Sequence, residues 1–183
     1  MPKFNLEKIV YRWRVRAASI GLILAVILAK PDLTSFLTGL GICFMGLLIR
    51  TWSAGHLRKE KELAISGPYQ YTRNPLYLGN FVIGISVAFA SRSWWVFVYF
   101  AAYFFLFYPL AIKKEMKRMK KLFPYEYDEY KKKAPLFFPT WKSFTIPGKN
   151  KFSWKFFRKN KEWRAQIGAF LFWLILALKM TLL

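Results

Sequence analysis

Five stretches without a charged residue govern what this chain can become: Ala17–Ala29, Leu33–Ile49, Asn74–Ser91, Ser93–Ile112 and Ala165–Leu178. A helix needs about 20 mostly apolar residues to cross a bilayer, with about 17 as the lower limit. The middle three runs meet that limit. The outer two are short enough to lie at the interface, but Arg14, Arg16, Lys30, Arg164 and Lys179 flank them. Long cationic side chains snorkel, which extends the usable length of a span. The runs predict an all-α fold, a polytopic membrane helix bundle of five transmembrane helices plus cytoplasmic amphipathic helices.

Charge placement gives the bundle a direction. The chain carries 30 Lys and Arg against 9 Asp and Glu. With the N-terminus cytoplasmic, five basic residues before Ala17, five between Arg50 and Arg73, and seventeen between Lys113 and Arg164 all fall inside. Only Lys30, Arg92 and Lys179 fall at the outer edge. Short cytoplasmic loops are enriched in Lys and Arg, although long segments weigh less in that rule. The basic balance therefore reads as membrane orientation, without nucleic acid. The outer connections are small: Lys30-Pro31-Asp32, and Arg92 between two serines, with Trp94 and Trp95 following at interface depth.

Several chemistries are excluded early. Cys43 is the only cysteine and His56 the only histidine, so an internal disulfide, a cysteine metal site and a His-based nucleophile system are not expected. His56, beside Gly55 at a helix end, reads as an interfacial residue. No GxGxxG or P-loop pattern occurs. The basic start, with no clear small-residue cleavage site after the first apolar run, reads as leading into a retained span.

The stretch Ser66–Gly79, SGPYQYTRNPLYLG, is the most informative polar segment. Gly67-Pro68 marks a turn. Pro75 fixes its own φ, biases Asn74 away from the α region and suits a first helical position. Arg73 and Asn74 are thus expected in a short extended lead-in to a helix that begins near Pro75. Gly39, Gly41 and Gly46 are read as one thin face of the second helix, permitting close approach. Pro109 lies near the inner end of the fourth helix, where a kink would aim Glu115 across the inner surface.

Beyond that helix, Ile112, Met116, Met119, Phe123, Tyr127 and Tyr130 recur at intervals of three or four, opposite a basic face. That is the pattern of a helix lying on the membrane, with Pro124 dividing it in two. Glu115, between Lys114 and Met116, is open to two readings, salt-bridge partner or site residue. The segment Thr140–Glu162 interleaves Lys, Phe and Trp. Such a mixture suits nucleic-acid stacking, but between a surface helix and a last span it is read as membrane-surface chain.

Two of these stretches together resemble a known group. SGPYQYTRNPLYLG is similar to the GxY…RHPxYxG motif of the isoprenylcysteine carboxyl methyltransferase and phospholipid methyltransferase group. KEMKRMKKLFPYEYDEYKKKAPLFFP is similar to its second motif, an acidic pair followed by FGxxYxxYxxxVPxfiP. Order, spacing and the intervening hairpin agree over Lys61–Pro139. The resemblance implies a membrane methyltransferase that uses S-adenosylmethionine without a Rossmann domain, in a pocket facing the cytoplasm. Carried over by position, the implied cofactor contacts are Lys61, Glu62, Leu63, Ala64, Tyr69, Asn74, Pro75, Leu76, Tyr77 and Glu115. Arg73 matches the motif arginine, and Arg73 and Glu115 are the implied catalytic residues. No metal site is implied.

The sequence departs from the group at four places. Asn74 replaces the motif histidine, keeping a donor and an acceptor but losing titration near neutral pH. Met116 reduces the acidic pair to Glu115. Phe123-Pro124 replaces FG. Ala111 stands where the prenylcysteine enzymes place a substrate-binding arginine. The expected layout is one integral-membrane domain over residues 1–183: a catalytic core at about 55–140, a basic aromatic surface segment at 140–163 and a final span at 164–183. Expected partners are membrane lipids and a lipophilic methyl acceptor, with no nucleic acid. The expected location is a prokaryotic inner membrane. Two alternatives are a reductase of the sterol type and a non-catalytic lipid-binding protein.

Overall fold

In a computed structural model, the backbone is described for residues 6–141 and 151–182, and the side chains for residues 13–141 and 151–182. The basic residues Lys3, Lys8 and Arg12, and residues 142–150 of the basic aromatic segment, lie outside the described side chains. The described secondary structure is helical: α1 Leu6–Leu28, α2 Leu33–His56, α3 Pro75–Ser91, α4 Trp94–Leu122, α5 Pro124–Lys133, α6 Trp154–Lys159 and α7 Trp163–Leu182. A single 3₁₀ turn, Gly67–Gln70, precedes α3.

Local chemistry sets the helix ends. Asp32 caps α2: its carboxylate accepts from the Ser35 N–H at 2.7 Å, and Ser35 Oγ accepts from the Asp32 N–H at 3.1 Å. Pro75 opens α3 as its first residue, after the non-helical Asn74. Pro124 opens α5, so the surface pattern is divided where expected. Helix α4 runs through Pro109 without interruption to Leu122.

Helices α2, α4 and α7 are long and apolar enough to cross a membrane. Helix α3 is apolar but has 17 residues. Helix α1 carries Arg12, Arg14 and Arg16 within its 23 residues, too many charges for a plain apolar span. Three of the five expected spans are therefore carried by length and composition. Apolar side chains such as Ile23, Ile27, Phe44, Phe105, Leu106 and Phe170 are exposed on the outside of these helices, as lipid-facing surface would be.

The long helices pack with alternating direction. At one end, the Lys30 N–H donates to the Ser91 carbonyl at 2.9 Å, and Arg92 pairs with Asp32, joining the two small connections. Lys179 Nζ donates there to the carbonyls of Val26 and Ile27 at 2.7 and 2.8 Å, tying α7 to the end of α1. A shared core near this end takes Ala25 from α1 and Ala29 just past its end, Cys43 from α2, Val87, Ala88 and Ala90 from α3, Val96 from α4, and Phe172, Trp173 and Leu176 from α7. The other end holds the finish of α2, the start of α3 and the end of α4.

Two expectations need correction. Gly41 does not share the thin face of α2: a Cβ there would meet nothing within 4 Å. Gly39 and Gly46 do, one lying against Ala90 and Trp173, the other against Ile83 and the Gly79 backbone. Residues seven apart lie almost above one another on a helix, whereas a step of two turns Gly41 to the far side. The second correction concerns the amphipathic face after α4. Tyr127 and Tyr130 are buried with Leu63, Ile65 and Ala134, and Met116, Met119 and Phe123 pack on that cluster. The face covers protein, the loop between α2 and α3, and not lipid.

Candidate functional site

A cavity of about 440 Å³ lies where α2 ends and α3 begins. The loop after α2 reaches it through a turn that only glycine fits. Gly67 has φ +59°, and a Cβ there would come within 2.6 Å of the His56 ring. His56 Nδ1 and Ser66 Oγ lie 3.0 Å apart beneath this turn. The 3₁₀ turn that follows sets Tyr69 into the cavity wall, where it is 6% exposed. Burial first, then the Glu115 and Glu162 carboxylates, push the Tyr69 hydroxyl well above its ordinary range; Arg50 opposes them.

The RNP lead-in is stitched to the chain after α5. The Arg73 N–H donates to the Pro135 carbonyl at 2.9 Å, and the Thr140 N–H to the Tyr71 carbonyl at 3.0 Å. Thr72 Oγ1 donates to the Phe137 carbonyl and Asn74 Nδ2 to the Leu136 carbonyl, each at 2.8 Å. The Tyr130 hydroxyl donates to the Tyr69 carbonyl at 2.8 Å. The two sequence motifs thus form one hydrogen-bonded wall. Asn74 spends its amide on that wall.

Charged groups converge on the space beside it. Glu60, Glu62, Glu115 and Glu162 all line the cavity, four of the nine acidic residues in a chain of net charge +21. Arg50 Nε donates to Glu162 Oε1 at 2.5 Å, and its Nη1 to the Asn80 side-chain oxygen. Glu60 pairs with Arg118. Glu115 makes no salt bridge among the described residues. Of its two readings, the ion-pair reading thus has no counterpart here. Arg73 Nη1 donates to the Tyr127 hydroxyl at 3.4 Å, and Arg73 Nε is buried with no hydrogen-bond partner among the described residues.

The structure brings Glu62, Leu63, Ala64, Tyr69, Arg73, Asn74, Pro75, Leu76, Tyr77 and Glu115 together around this cavity. Lys61 is apart from them. It is exposed and does not line the cavity; its N–H closes a turn onto the Arg58 carbonyl at 3.1 Å. A lysine amid a charged loop turns its side chain to water, while the neighbouring Leu63 turns inward.

The sequence reading missed Arg14, Arg50, Asn80, Asn160 and Glu162 in the lining. Asn160 Nδ2 donates to the Ala54 and Leu57 carbonyls, both at 2.9 Å, and so closes the last turn of α2. Glu162 is 6% exposed at the foot of α7. The one available signal was its isolation as an acid in a basic segment. Among the described residues no group of three or more His, Cys, Asp or Glu is placed to hold a metal ion.

The family model of the phospholipid methyltransferases matches residues 34–126, which contain α2 from its second residue, α3, α4 and most of the cavity wall. The chain belongs to the phospholipid methyltransferase family. Two curated relatives are similar to this phospholipid methyltransferase family member. The nickel-cobalt-cadmium resistance protein NccN of Alcaligenes xylosoxydans xylosoxydans is 36% identical over 97 residues, 52% of this chain and 45% of that protein. The cobalt-zinc-cadmium resistance protein CzcN of Cupriavidus metallidurans is 34% identical over 109 residues, 58% of this chain and 49% of that protein. The chain spans about half the length of these relatives. No solved structure matches.

Proposed function

We propose that the cavity binds S-adenosylmethionine and that the protein transfers its methyl group to a lipid or lipidated acceptor in a prokaryotic inner membrane. The observation that carries this reading is Glu115: a carboxylate without an ion pair among the described residues, lining a cavity built from both sequence motifs, in a strongly basic chain. An acid left without a cation suits a cationic ligand. The cavity volume falls in the range of small-molecule sites, roughly 300–1,000 Å³.

The residues present fit the group. Glu115 and Glu62 would face its positive centres. The unpartnered Arg73 Nε would take its carboxylate. Leu63, Ala64, Met116 and Met119 supply apolar surface to its remainder. When bound, S-adenosylmethionine supplies a methyl group on a sulfonium: the S–CH₃ bond breaks with its electrons going to sulfur, and an acceptor lone pair forms the new bond. The chain's own residues then need only to orient and shield, since such displacement calls for alignment and exclusion of water. This suits a chain with one histidine and one cysteine. A carboxylate acceptor has no proton to lose. An amine acceptor has one, which Glu115 or a lining tyrosine would help to remove.

In this reading α1 and α3 also cross the membrane, giving five spans with the N-terminus in the cytoplasm. The names of the relatives speak of metal resistance. The reading for this chain is methyl transfer to a lipid or lipidated acceptor, supported by the family and by Glu115 in the cavity lining. The test is transfer of a labelled methyl from S-adenosylmethionine into a total-lipid extract by the purified chain. A labelled lipid that disappears with Glu115→Gln supports the proposal. A folded protein that binds the cofactor but labels no lipid would exclude the lipid acceptor.

A further inference from the structure

Three arginines cluster in α1, and the two with described side chains behave differently. The guanidinium of Arg16 stacks on Trp13, 5.3 Å from the ring centroid, as an interfacial anchor would. Arg14 turns inward. Its Nη1 donates to the Tyr77 hydroxyl at 3.3 Å, its guanidinium sits 5.9 Å from the Tyr77 centroid, and it lines the cavity. An ionisable residue that faces the interior of a membrane bundle marks a functional position by default. Arg14 also lies outside residues 34–126, the stretch matched by the family.

Its surroundings differ from the acid-bearing part of the cavity. Tyr77 meets Tyr108 edge-on at 5.5 Å, and Tyr108 meets Phe104 at 4.5 Å. Phe104 continues the row to Phe81 at 4.5 Å and to Phe105 at 5.7 Å. Phe105 is exposed on the outside of α4. A guanidinium and phenol donors thus stand at one end of an aromatic row whose other end reaches the lipid-facing surface. A guanidinium matches phosphate or carboxylate with paired hydrogen bonds. The row matches a hydrocarbon tail.

We propose that Arg14 is a specificity-determining residue that recognises the anionic headgroup, phosphate or carboxylate, of an amphiphile whose tail lies along the Tyr108–Phe104–Phe81 row. Arg14 therefore selects the acceptor, while the motif residues hold the cofactor. The name "acceptor" rests on the methyltransferase reading; the amphiphile site stands on its own geometry.

The test uses the full chain in neutral detergent, with radiolabelled dodecyl phosphate, dodecanoate and dodecanol as probes, inorganic phosphate as competitor, and S-adenosylmethionine titrated separately. Dodecyl phosphate or dodecanoate is expected to bind about tenfold or more above dodecanol, and Arg14→Gln to abolish that preference, the scale of a lost hydrogen bond to a charged group. Arg14→Lys is expected to restore part of it, because the charge returns without the fork. Arg14→Gln is expected to keep a cooperative thermal melt in detergent, which shows that the variant is folded. Equal binding of dodecanol, unchanged anion preference in Arg14→Gln, or displacement by inorganic phosphate at equal concentration would each overturn the proposal. Selective anion binding with no cofactor binding would leave this site standing and remove the methyltransferase reading.

Discussion

The side-chain amide of Asn74 donates to the carbonyl of Leu136 at 2.8 Å, across 62 residues of sequence. This bond locks the lead-in of α3 to the segment that follows α5, so that both motifs face one cavity. Asn74 is 7% exposed. Its replacement by Ala leaves a carbonyl without its donor and is expected to cost about 1–3 kcal/mol. Asn74→Asp is expected to cost more at neutral pH, since a carboxylate then faces a carbonyl. Thermal unfolding in detergent reads both, as a midpoint lowered in the order Ala, then Asp.

Arg50 and Glu162 form the second long-range tie, at 2.5 Å with side chains 15% and 7% exposed. Removing one partner of a buried pair leaves the other charge uncompensated and costs about 3–5 kcal/mol. Glu162→Leu and Arg50→Met are each expected to destabilise on that scale. The double variant Arg50→Met, Glu162→Leu is expected to recover most of the loss, because neither charge then remains. A denaturation series of the four proteins, read as a double-mutant cycle, checks this. Additive losses would show that the pair is not coupled.

Glu115 separates function from fold. It has no salt bridge to lose among the described residues, so Glu115→Gln is expected to unfold at the same temperature as the parent. The same variant is expected to bind S-adenosylmethionine about tenfold more weakly, the scale of one interaction between charged groups. Melting and calorimetry on one preparation read both quantities. A lowered melting point with unchanged affinity would return Glu115 to a structural role.

Alkaline stability tests the burial of Tyr69. Its hydroxyl ionises at an ordinary value of 10.0 and is pushed well above that in the fold by burial and by Glu115 and Glu162. A raised folded value means that the fold prefers the protonated form. The stabilisation is fully present below pH 10.0 and is lost as pH climbs beyond it, because the unfolded chain ionises first. Tyr69→Phe cannot ionise. Its stability is expected to fall less steeply than that of the parent above pH 10.0, and to run parallel below it. Unfolding midpoints between neutral and strongly alkaline pH give the comparison.

The sequence carried the parts of this fold that local chemistry controls. Pro75 and Pro124 start helices because their fixed φ and missing N–H suit a first turn, and the α3–α4 hairpin turns at Arg92 because two charge-free runs leave no other residue for it. What stayed hidden depended on tertiary contact. The recurrence from Met116 to Tyr130 states that a face is covered, but not whether lipid or protein covers it; Leu63 and Ile65 turned out to be the cover. Gly41 was placed with Gly39 by proximity in sequence, while helix geometry groups Gly39 with Gly46. Arg14 and Glu162 come from opposite ends of the chain and meet the cavity only because α1 and α7 pack in the same bundle. The motif residues were legible as a group because they are close in sequence. Lys61, in the same stretch, fell outside because an exposed turn points its side chain to solvent.

The most direct measurement is calorimetric titration of S-adenosylmethionine into the full chain in lipid nanodiscs, with a reduced nicotinamide dinucleotide titrated in parallel. One S-adenosylmethionine is expected to bind per chain, more weakly in Glu115→Gln, with no heat from the nicotinamide. A folded protein that binds no S-adenosylmethionine, or that binds the nicotinamide in its place, would contradict the methyltransferase reading.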